Sequence, residues 1–547
     1  MRYREPITDL PTHQVTNQVP LREDWNLFET DMALQEALNR EGGAWGVEAC
    51  QNFGAHLGTE EMDTHARAAN VYSPVLRTFN QRGERIDAVD FHPSYHHLFQ
   101  TAKAHQVHSI AWTAPQGGHV VHTALEYLFG QVEGGVCCPV TMTYAVLPAL
   151  EHHPELYAQL APKLTSTIYD PRMVPISEKE GITMGMAMTE KQGGSDVRAN
   201  QTLASKISGD RYRLQGHKWF CSAPMSDAFL TLAQAPEGLS CFFVPRWLED
   251  GRRNPFYIQR LKDKLGNRSN ASAEIEYHNT EAILVGAPGR GVPTIIEMVH
   301  HTRLDCAMAA VGLMRRAIVE AVYHARYRKA FGGRLIDKAL MQNVLADMIV
   351  EQEAALMMVM RIARAYDSPD AEAQLLARIG VAIAKYWTNK RCSMLINEAM
   401  ECLGGAGYIE ESILPRLYRE APLNGIWEGS GNVICLDVLR TIHKSPEALQ
   451  ALMNEIQPVC AQDERLQKRL RQTIAMLKSP HAEHQARRIV ENLALVFQGT
   501  LMLQHGHAEV SKAFLSSHFD GAAGLAFGTL DSSIDTASIL ERYSLVC

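Results

Sequence analysis

The sequence predicts an α+β protein in which helical units lie on both sides of a central β-rich unit, and three observations support this prediction. Through most of residues 1–180, apolar side chains recur every three or four positions, which is the helical period. Between residues 181 and 285, apolar residues alternate with polar ones or form short runs bounded by Gly, Pro, Asn and Asp. From Val292 the helical period returns and persists.

The chain is long enough to form several packed units. Its 547 residues are too many for one small core and favour three or four units. The changes in period place an N-terminal helical domain at 1–180, a central β-domain at 181–290, a helical bundle at 291–440 and a further helical extension at 441–547.

Individual elements follow from the same periods. In the N-terminal domain, helical spacing is clearest at residues 31–40, 101–112 and 119–131. In the β-domain, strands are predicted at 182–188, 212–222, 229–233, 239–244 and 273–277. In the bundle, three long helices are predicted at 294–329, 340–365 and 371–403. Helices of this length are usually stabilised by packing against each other.

Composition excludes several classes of protein. A net charge of -8 argues against nucleic-acid binding over the whole surface, so DNA binding would need a local basic patch. The eleven cysteines contain no C-x-x-C pair, which favours reduced thiols over a disulfide framework or a zinc site. No apolar run reaches the length of a membrane span, and the first residues lack a signal pattern. We therefore expect a cytoplasmic protein with no membrane partner.

Adjacent histidines raise the question of a metal site. The pairs are His96-His97, His152-His153 and His300-His301. Neighbouring side chains point to different sides of a helix or strand, and no carboxylate stands at a recognisable ligand spacing. The sequence therefore predicts no metal.

The segment at 182–197 has the pattern of a site for a planar, electron-accepting ring. A predicted strand runs into Thr189, a Gly193-Gly194 turn and Ser195. Glycines let a ligand approach the backbone closely, and hydroxyl and N–H donors can hold the charge of a reduced ring. The alternative is an ordinary turn, since such segments are common in turns.

Several motifs in a fixed order resemble the acyl-CoA dehydrogenase family. After the Gly193-Gly194 turn they lie at 212–222, 264–266, 328–332 with Gln342, 403–408, 416–420 and 426–432, so the resemblance spans roughly 181–440. It implies an acyl-CoA dehydrogenase-like fold, an FAD-dependent oxidoreductase that binds acyl-CoA, and a homotetramer. No G-x-G-x-x-G follows a strand, which fits a family that binds FAD between the β-domain and helices of a neighbouring subunit.

The resemblance assigns cofactor contacts by position. They are Met186, Met188, Thr189, Ser195, Phe220, Cys221, Ser222, Arg328, Gln342, Gly404, Gly405, Ile426, Gly429, Ser430 and Asn432. Phe220 and Ser222 depart from the Trp and Thr that the family usually has beside the ring. Phenylalanine still covers a ring face with less area, and serine keeps the hydroxyl. We expect FAD binding to persist and activity to be altered.

Glu428 is the predicted catalytic base. It stands between Trp427 and Gly429, a setting that would keep its carboxylate dry and raise its pKa. The family carries its base here in most members, although some branches supply it from another helix. The alternative is an acidic residue that stabilises the start of a helix near Ser430.

The N-terminal third and the last hundred residues resemble a particular branch of the family, the flavin-containing, DNA-binding proteins of the bacterial response to alkylating agents. Residues 463–478 have the pattern of an amphipathic helix. The predicted phosphate contacts there and in the next helix are Arg465, Lys468, Arg469, Arg471, Arg487 and Arg488. However, residues 441–547 contain ten Lys or Arg against eleven Asp or Glu, so a solvated basic face is the alternative.

The sequence thus favours a flavoprotein with weak dehydrogenation of short or branched acyl-CoA and non-specific binding to double-stranded DNA. The alternatives are a metabolic acyl-CoA dehydrogenase or an acyl-CoA oxidase, each without a role at DNA. A nitroalkane oxidase is disfavoured, because those relatives use an aspartate base and residue 428 is a glutamate.

Overall fold

The computed structural model describes residues 6–22, 24–521 and 524–546. Its N-terminal part is mainly helical, as predicted. The helices are α1 (Met32–Arg40), α2 (Val47–Leu57), α3 (Glu60–Val71), α4 (Pro93–Ala104), α5 (Ile110–Thr113), α6 (His119–Gly130), α7 (Gly134–Ala145), α8 (Leu147–Leu150) and α9 (Pro154–Leu164). Two short antiparallel pairs accompany them, β1 (Asp9–Leu10) with β2 (His13–Gln14) and β3 (Val75–Phe79) with β4 (Arg85–Asp90).

Two predictions for this part were wrong. The segment 101–112 is not one helix, because α4 ends at Ala104 and the chain turns at Gln106, whose φ is +59°. The N–H groups of Gln106 and Val107 bond back to the carbonyls of Lys103 and Ala102, which is the Schellman pattern that ends a helix. The β3–β4 hairpin was also missed in a segment predicted to be mainly helical.

The central unit is a seven-stranded sheet. Its strands are β5 (Met184–Ala187), β6 (Leu203–Ser208), β7 (Arg211–Ser222), β8 (Ala228–Ala235), β9 (Gly238–Pro245), β10 (Phe256–Leu261) and β11 (Ser272–Val285). The order is β10-β11-β7-β6-β8-β5, and β9 pairs with both β8 and β11, so the path closes on itself. One apolar cluster fills the interior of the sheet, and a second packs its other face against the neighbouring helices.

The helical bundle follows the predicted pattern closely. It contains α10 (Gly291–Tyr327), the short hairpin β12 (Lys329–Ala330) and β13 (Gly333–Arg334), then α11 (Ala339–Asp367), α12 (Ala371–Leu403), α13 (Gly405–Tyr408), α14 (Leu414–Glu420) and α15 (Gly431–Lys444). Most residues in the middle of α10, α11 and α12 are buried. This confirms that long helices here are stabilised by mutual packing.

The C-terminal extension packs onto the bundle. Its helices are α16 (Pro446–Cys460), α17 (Glu464–Leu477), α18 (Ala486–His505), α19 (Ala508–Phe519) and α20 (Thr536–Glu541). Leu466, Phe497 and Tyr543 belong to the same apolar cluster as the cores of α10–α12. Arg542 pairs with Glu36 and Glu353, which ties the chain end to α1 and α11. Among the helices that the structure describes, none has the length and apolar character needed to cross a membrane.

Candidate active site

Glu428 lies in a loop whose backbone carbonyls accept hydrogen bonds from two buried cations. The loop precedes α15, and Glu428 adopts a φ of +56°, a conformation that costs a residue with a side chain about 1–3 kcal/mol. Lys385 of α12 donates from Nζ to the carbonyls of Trp427 (2.7 Å) and Gly429, while Arg303 of α10 donates from Nε to the carbonyl of Glu428 (3.1 Å). Three successive carbonyls are thus fixed, which offsets the cost of the strained backbone.

One oxygen of the Glu428 carboxylate is left without a partner. Its Oε2 is shielded from solvent and has no hydrogen-bond partner among the described residues. Burial raises the pKa of Glu428, while a hydrogen bond from Thr302 and the charges of Lys385 and Arg303 act in the opposite direction. The role of Glu428 as the base stays a prediction, and a raised pKa suits a general base that must accept a proton near neutral pH.

Asp437 of α15 completes the support of this loop. It accepts hydrogen bonds from Arg303 (2.8 Å) and Arg378 (3.1 Å). Burial acts to raise the pKa of Asp437, but the two guanidinium groups outweigh it and hold the pKa at about 2. Burial also lowers the pKa of Lys385 to about 8. The sequence analysis missed all four supporting charges, because they come from three helices with no shared motif.

The end of β7 presents its side chains to two different environments. Phe220 is 49% exposed, and the Nζ of Lys262 lies 4.6 Å from its ring centre. Ser222 lies on the same face, with its Oγ 3.4 Å from the Oγ of Ser272. Cys221 instead points into the interior of the sheet and is fully buried. The predicted cofactor contact of Cys221 therefore needs correction: only its backbone is on the side of Phe220 and Ser222, because side chains alternate along a strand.

The thiol of Cys138 on α7 interacts with Ser222 and with the charge of Glu428. Burial raises the pKa of its thiol to about 12, against a hydrogen bond with Ser222 and the charge of Lys264, and Glu428 raises it further. Glu428 is therefore close enough for its charge to act on the thiol that bonds to Ser222. The only signal for Cys138 in the sequence is its pairing with Cys137, which alone indicates nothing about a site.

The turn after β5 has the geometry that its glycines suggested. Gly193 has a φ of +144°. A side chain at Gly194 would come within 2.3 Å of the Oγ1 of Thr189. The carbonyl of Thr189 accepts from the N–H of Trp219 at 2.8 Å, which joins the turn to β7. Ser195 is exposed at the surface of the turn.

The two methionines of this segment differ in burial. Met186 is 8% exposed and belongs to the cluster between the sheet and the helices, with Cys138. Met188 is partly buried against the same cluster, and its carbonyl accepts from the Nδ2 of Asn200 at 2.9 Å. Both lie on the side of the sheet that faces α7, so they border the site from the sheet.

A second group of predicted contacts lies elsewhere on the surface. Gly404 has a φ of +61°, and a side chain on Gly404 or Gly405 would meet open space. Arg328 donates from Nη1 to the carbonyl of Asn17 (2.5 Å), and Gln342 is partly exposed near the start of α11. Among the described residues, none of these four contacts Glu428 or Ser222. Their role at the cofactor stays a prediction.

The residues that follow Glu428 have mixed surroundings. Ile426 is 64% exposed, whereas Gly429 has a φ of +107° and a side chain there would come within 2.9 Å of Ile434. Ser430 is the first residue before α15, but its side chain makes no capping hydrogen bond. Asn432 accepts from the Nε of Arg487 at 2.7 Å, so its amide oxygen already has a partner.

A cationic cavity lies beside Phe220. It has a volume of about 210 Å³ and is lined by Lys262, Lys264, Arg268 and Asn270, among others. The amide of Asn270 is 1% exposed and has no hydrogen-bond partner on either terminal atom among the described residues. Burial lowers the pKa of Lys264 to about 8. Unpartnered amide atoms beside these cationic side chains fit an anionic group, such as part of the expected FAD.

The predicted phosphate contacts of the extension fall into two groups. Lys468, Arg471 and Arg488 are exposed, and their side chains form no ion pair or hydrogen bond within the described part of the chain. Three others have partners within the fold, in contrast to the expectation of six available cations. Arg465 pairs with Asp463 and Asp520, Arg469 donates to Asn492 and the carbonyl of His518, and Arg487 donates to Asn432.

Three family descriptions match consecutive parts of the chain. The Adaptive response protein AidB N-terminal domain matches residues 17–171. The acyl-CoA dehydrogenase middle domain matches residues 185–280, and the acyl-CoA dehydrogenase C-terminal domain matches residues 289–443. These ranges follow the helical part, the sheet and the bundle of the structure.

Two curated relatives are similar over most of the chain. The putative acyl-CoA dehydrogenase AidB of Escherichia coli (strain K12) is 43% identical over 541 residues, which cover 98% of this chain and 99% of that protein. Acyl-CoA dehydrogenase family member 11 of Caenorhabditis elegans is 31% identical over 524 residues, which cover 88% of this chain and 84% of that protein.

Two solved structures share the architecture. The crystal structure of Caenorhabditis elegans ACDH-11 in complex with C11-CoA has a TM-score of 0.80 at 27% identity and covers 99% of this chain and 95% of that chain. The structure described as Bd2924 apo-form has a TM-score of 0.81 at 31% identity and covers 90% of this chain and 100% of that chain. The first of these similarities includes nearly all of the C-terminal extension.

Proposed function

Because this chain belongs to the acyl-CoA dehydrogenase family, whose members are FAD-dependent flavin oxidoreductases, we propose that it desaturates short or branched acyl-CoA with weak activity. The observation that carries the proposal is the Oε2 atom of Glu428, which is shielded from solvent and has no hydrogen-bond partner among the described residues. The crystal structure of the C. elegans relative is a complex with C11-CoA.

Glu428 removes the proton from the α-carbon of the acyl group, and its Oε2 receives that proton. FAD held beside Phe220 and Ser222 would supply the acceptor for the hydride that leaves the β-carbon, so that a double bond would form between the two carbons. Lys385 and Arg303 keep the carboxylate in place by fixing the carbonyls on either side of it. Phe220 and Ser222 would lie beside the ring, with Phe220 giving a smaller stacking face than tryptophan. This smaller face supports the weak activity.

The direct test is anaerobic addition of a panel of acyl-CoA thioesters to the FAD-loaded protein. We expect bleaching of the flavin absorbance, strongest with short or branched acyl groups. If no thioester bleaches the flavin, dehydrogenation is not the function, and a protective role at DNA without turnover becomes the better account. Rapid reoxidation by air after bleaching would instead indicate an acyl-CoA oxidase.

The raised pKa of Glu428 predicts the pH dependence of flavin reduction. Glu428 works as the carboxylate, so the reduction rate should fall as the pH drops through its raised pKa, above the ordinary value of 4.5. Removing the cation in Lys385→Met should raise this pKa further, because a nearby positive charge favours the carboxylate. Single-turnover rates of flavin reduction, recorded against pH, measure this pKa in the wild type and in the variant. An acid limb that stays in place or moves to lower pH in the variant would contradict the assignment.

We also propose that the chain binds double-stranded DNA without sequence preference. Lys468, Arg471 and Arg488 support this proposal, because they are exposed on the adjoining helices α17 and α18 without a partner in the described part of the chain. Backbone phosphates are the targets that such a surface would meet, and the relative from E. coli is named AidB.

The salt dependence of DNA binding tests this surface. In the variant Lys468→Gln, Arg471→Gln, Arg488→Gln, the slope of log affinity against log salt should fall by about three units, since each lost phosphate contact removes roughly 0.9. The matched control is Arg465→Gln, whose guanidinium is engaged by Asp463 and Asp520 and should contribute less. Equal slopes for wild type and the triple variant would place any DNA contact elsewhere.

A homotetramer is the assembly that we propose. Its support is the exposure of large apolar side chains near the predicted cofactor contacts, namely Phe331 (94%), Leu340 (82%), Tyr408 (79%) and Ile426 (64%). Exposed apolar surface of this kind is typical of contacts with another protein chain. A neighbouring subunit would also supply the other half of the FAD site.

A further inference from the structure

Two N-terminal helices bring metal-ligating side chains together. Glu61 and His65 lie one turn apart on α3, and His97 lies on α4, which packs against it. One ligand atom from each of the three residues lies within 4.8 Å of the others, and no other such group of three is found among the described residues. The cluster joins one member of the His96-His97 pair to residues of another helix, which the sequence analysis did not foresee.

His65 is already oriented as a ligand. Its Nδ1 lies 2.9 Å from the Oγ of Ser94, which leaves Nε2 directed toward the Oε1 of Glu61 at 3.8 Å. A hydrogen bond on the nitrogen that does not bind the ion is the usual arrangement of metal-bound histidines, because it fixes the tautomer and the ring.

The ring of His97 also has a nitrogen without a partner. Its Nε2 is shielded from solvent and has no hydrogen-bond partner among the described residues. The rings of His65 and His97 are stacked with centres 4.0 Å apart. A buried polar atom without a partner is costly, and an ion bound at this nitrogen would satisfy it.

We propose that Glu61, His65 and His97 bind a divalent transition-metal ion of the zinc class between α3 and α4. Imidazole nitrogens favour such ions, whereas calcium and magnesium prefer oxygen ligands. Tetrahedral coordination needs ligand atoms about 3.4 Å apart. The side chain of Glu61 is 72% exposed, so no close packing holds its carboxylate away from the two imidazoles. Water would fill the fourth position, because Glu61 lies at the surface.

The ion would connect two helices that border the rest of the site. The chain after α3 reaches Ser73 and Pro74, which line the cationic cavity beside Phe220. On both sides of His97 along α4, Tyr95, His96 and Phe99 line a second cavity against the β-domain. The site is therefore separate from Glu428 and acts by fixing α3 on α4, so its failure would not affect the proposed dehydrogenation.

The test uses FAD-loaded protein stripped of metals by a chelator and then titrated with Co²⁺. We expect one equivalent per chain to give the visible absorption of tetrahedral cobalt at wavelengths beyond the flavin, to be displaced by Zn²⁺, and to raise the unfolding temperature. No cobalt signal at one equivalent would overturn the proposal.

Variants locate the site. Glu61→Gln and His97→Ala should weaken cobalt binding by a factor of about 100 or more, and Ser94→Ala by about 10–100, because it orients a ligand. Glu61→Gln changes an exposed side chain and should fold normally, which the flavin spectrum checks. The control is His484→Ala, an exposed histidine outside the cluster. Wild-type affinity in both Glu61→Gln and His97→Ala would rule this site out.

Discussion

Replacing Glu428 with glutamine is expected to lower the rate of flavin reduction by acyl-CoA by a factor of about 100 or more, since a positioned base contributes at least that much. Glutamine keeps the size of the side chain but cannot accept the α-proton. The loop should persist, because Lys385 and Arg303 hold backbone carbonyls rather than the carboxylate. FAD should therefore remain bound, and anaerobic stopped-flow absorbance measures the rate.

The control for this variant is Glu447→Gln, which removes a carboxylate from an exposed position at the start of α16. Its reduction rate should equal that of the wild type. An unchanged rate in Glu428→Gln would mean that another helix supplies the base, as in some branches of the family. Exchange of the substrate α-proton with solvent deuterium should disappear in parallel, which separates loss of the base from loss of electron transfer.

Replacing Lys218 with methionine is expected to lower the free energy of unfolding by about 3–5 kcal/mol, because it leaves a buried charge without its partner. Lys218 is 1% exposed and Glu190 is fully buried. The Nζ of Lys218 donates to the Oε1 of Glu190 and to the carbonyl of Leu232, both at 2.8 Å. Glu190 also accepts from two backbone N–H groups, so it cannot leave its site.

Urea denaturation followed by circular dichroism measures this loss. Lys206→Met is the matched control, since Lys206 is an exposed lysine of the same sheet and should change stability by less than about 0.5 kcal/mol. Adding Glu190→Gln to Lys218→Met should recover part of the loss by removing the unpaired charge. A change below about 1 kcal/mol in Lys218→Met would show that this ion pair does not support the turn at Thr189.

Periodicity predicted most of the fold because long amphipathic helices and alternating strands are local features. The helix predicted at 371–403 is α12 (Ala371–Leu403), and the strand predicted at 212–222 is β7 (Arg211–Ser222). The break at Gln106 was not predictable in the same way, because a non-glycine residue occupies the left-handed position there. A glycine at that position would have marked the end of the helix.

The sequence could predict the chemical groups of the candidate site but not the tertiary contacts that position them. The neighbours of Glu428 indicated a dry carboxylate, and in the structure burial raises the pKa of Glu428. The contact of Cys138 with Ser222 depends on how α7 meets the sheet, which no local pattern contains. Likewise, an amphipathic pattern places Arg469 beside the apolar stripe. It does not reveal that the guanidinium of Arg469 donates hydrogen bonds to Asn492 and to the carbonyl of His518.

The hydrophobic core that α17–α20 share with α10–α12 has a thermodynamic consequence. Leu466 and Tyr543 lie in the same cluster as the bundle, so the extension is not an appendage that opens while the remainder stays folded. Where two binding surfaces belong to one cooperative unit, a ligand at either surface stabilises the same folded state. DNA at the extension and FAD at the sheet would then protect each other's sites from thermal and proteolytic damage, without any change of shape passing between them.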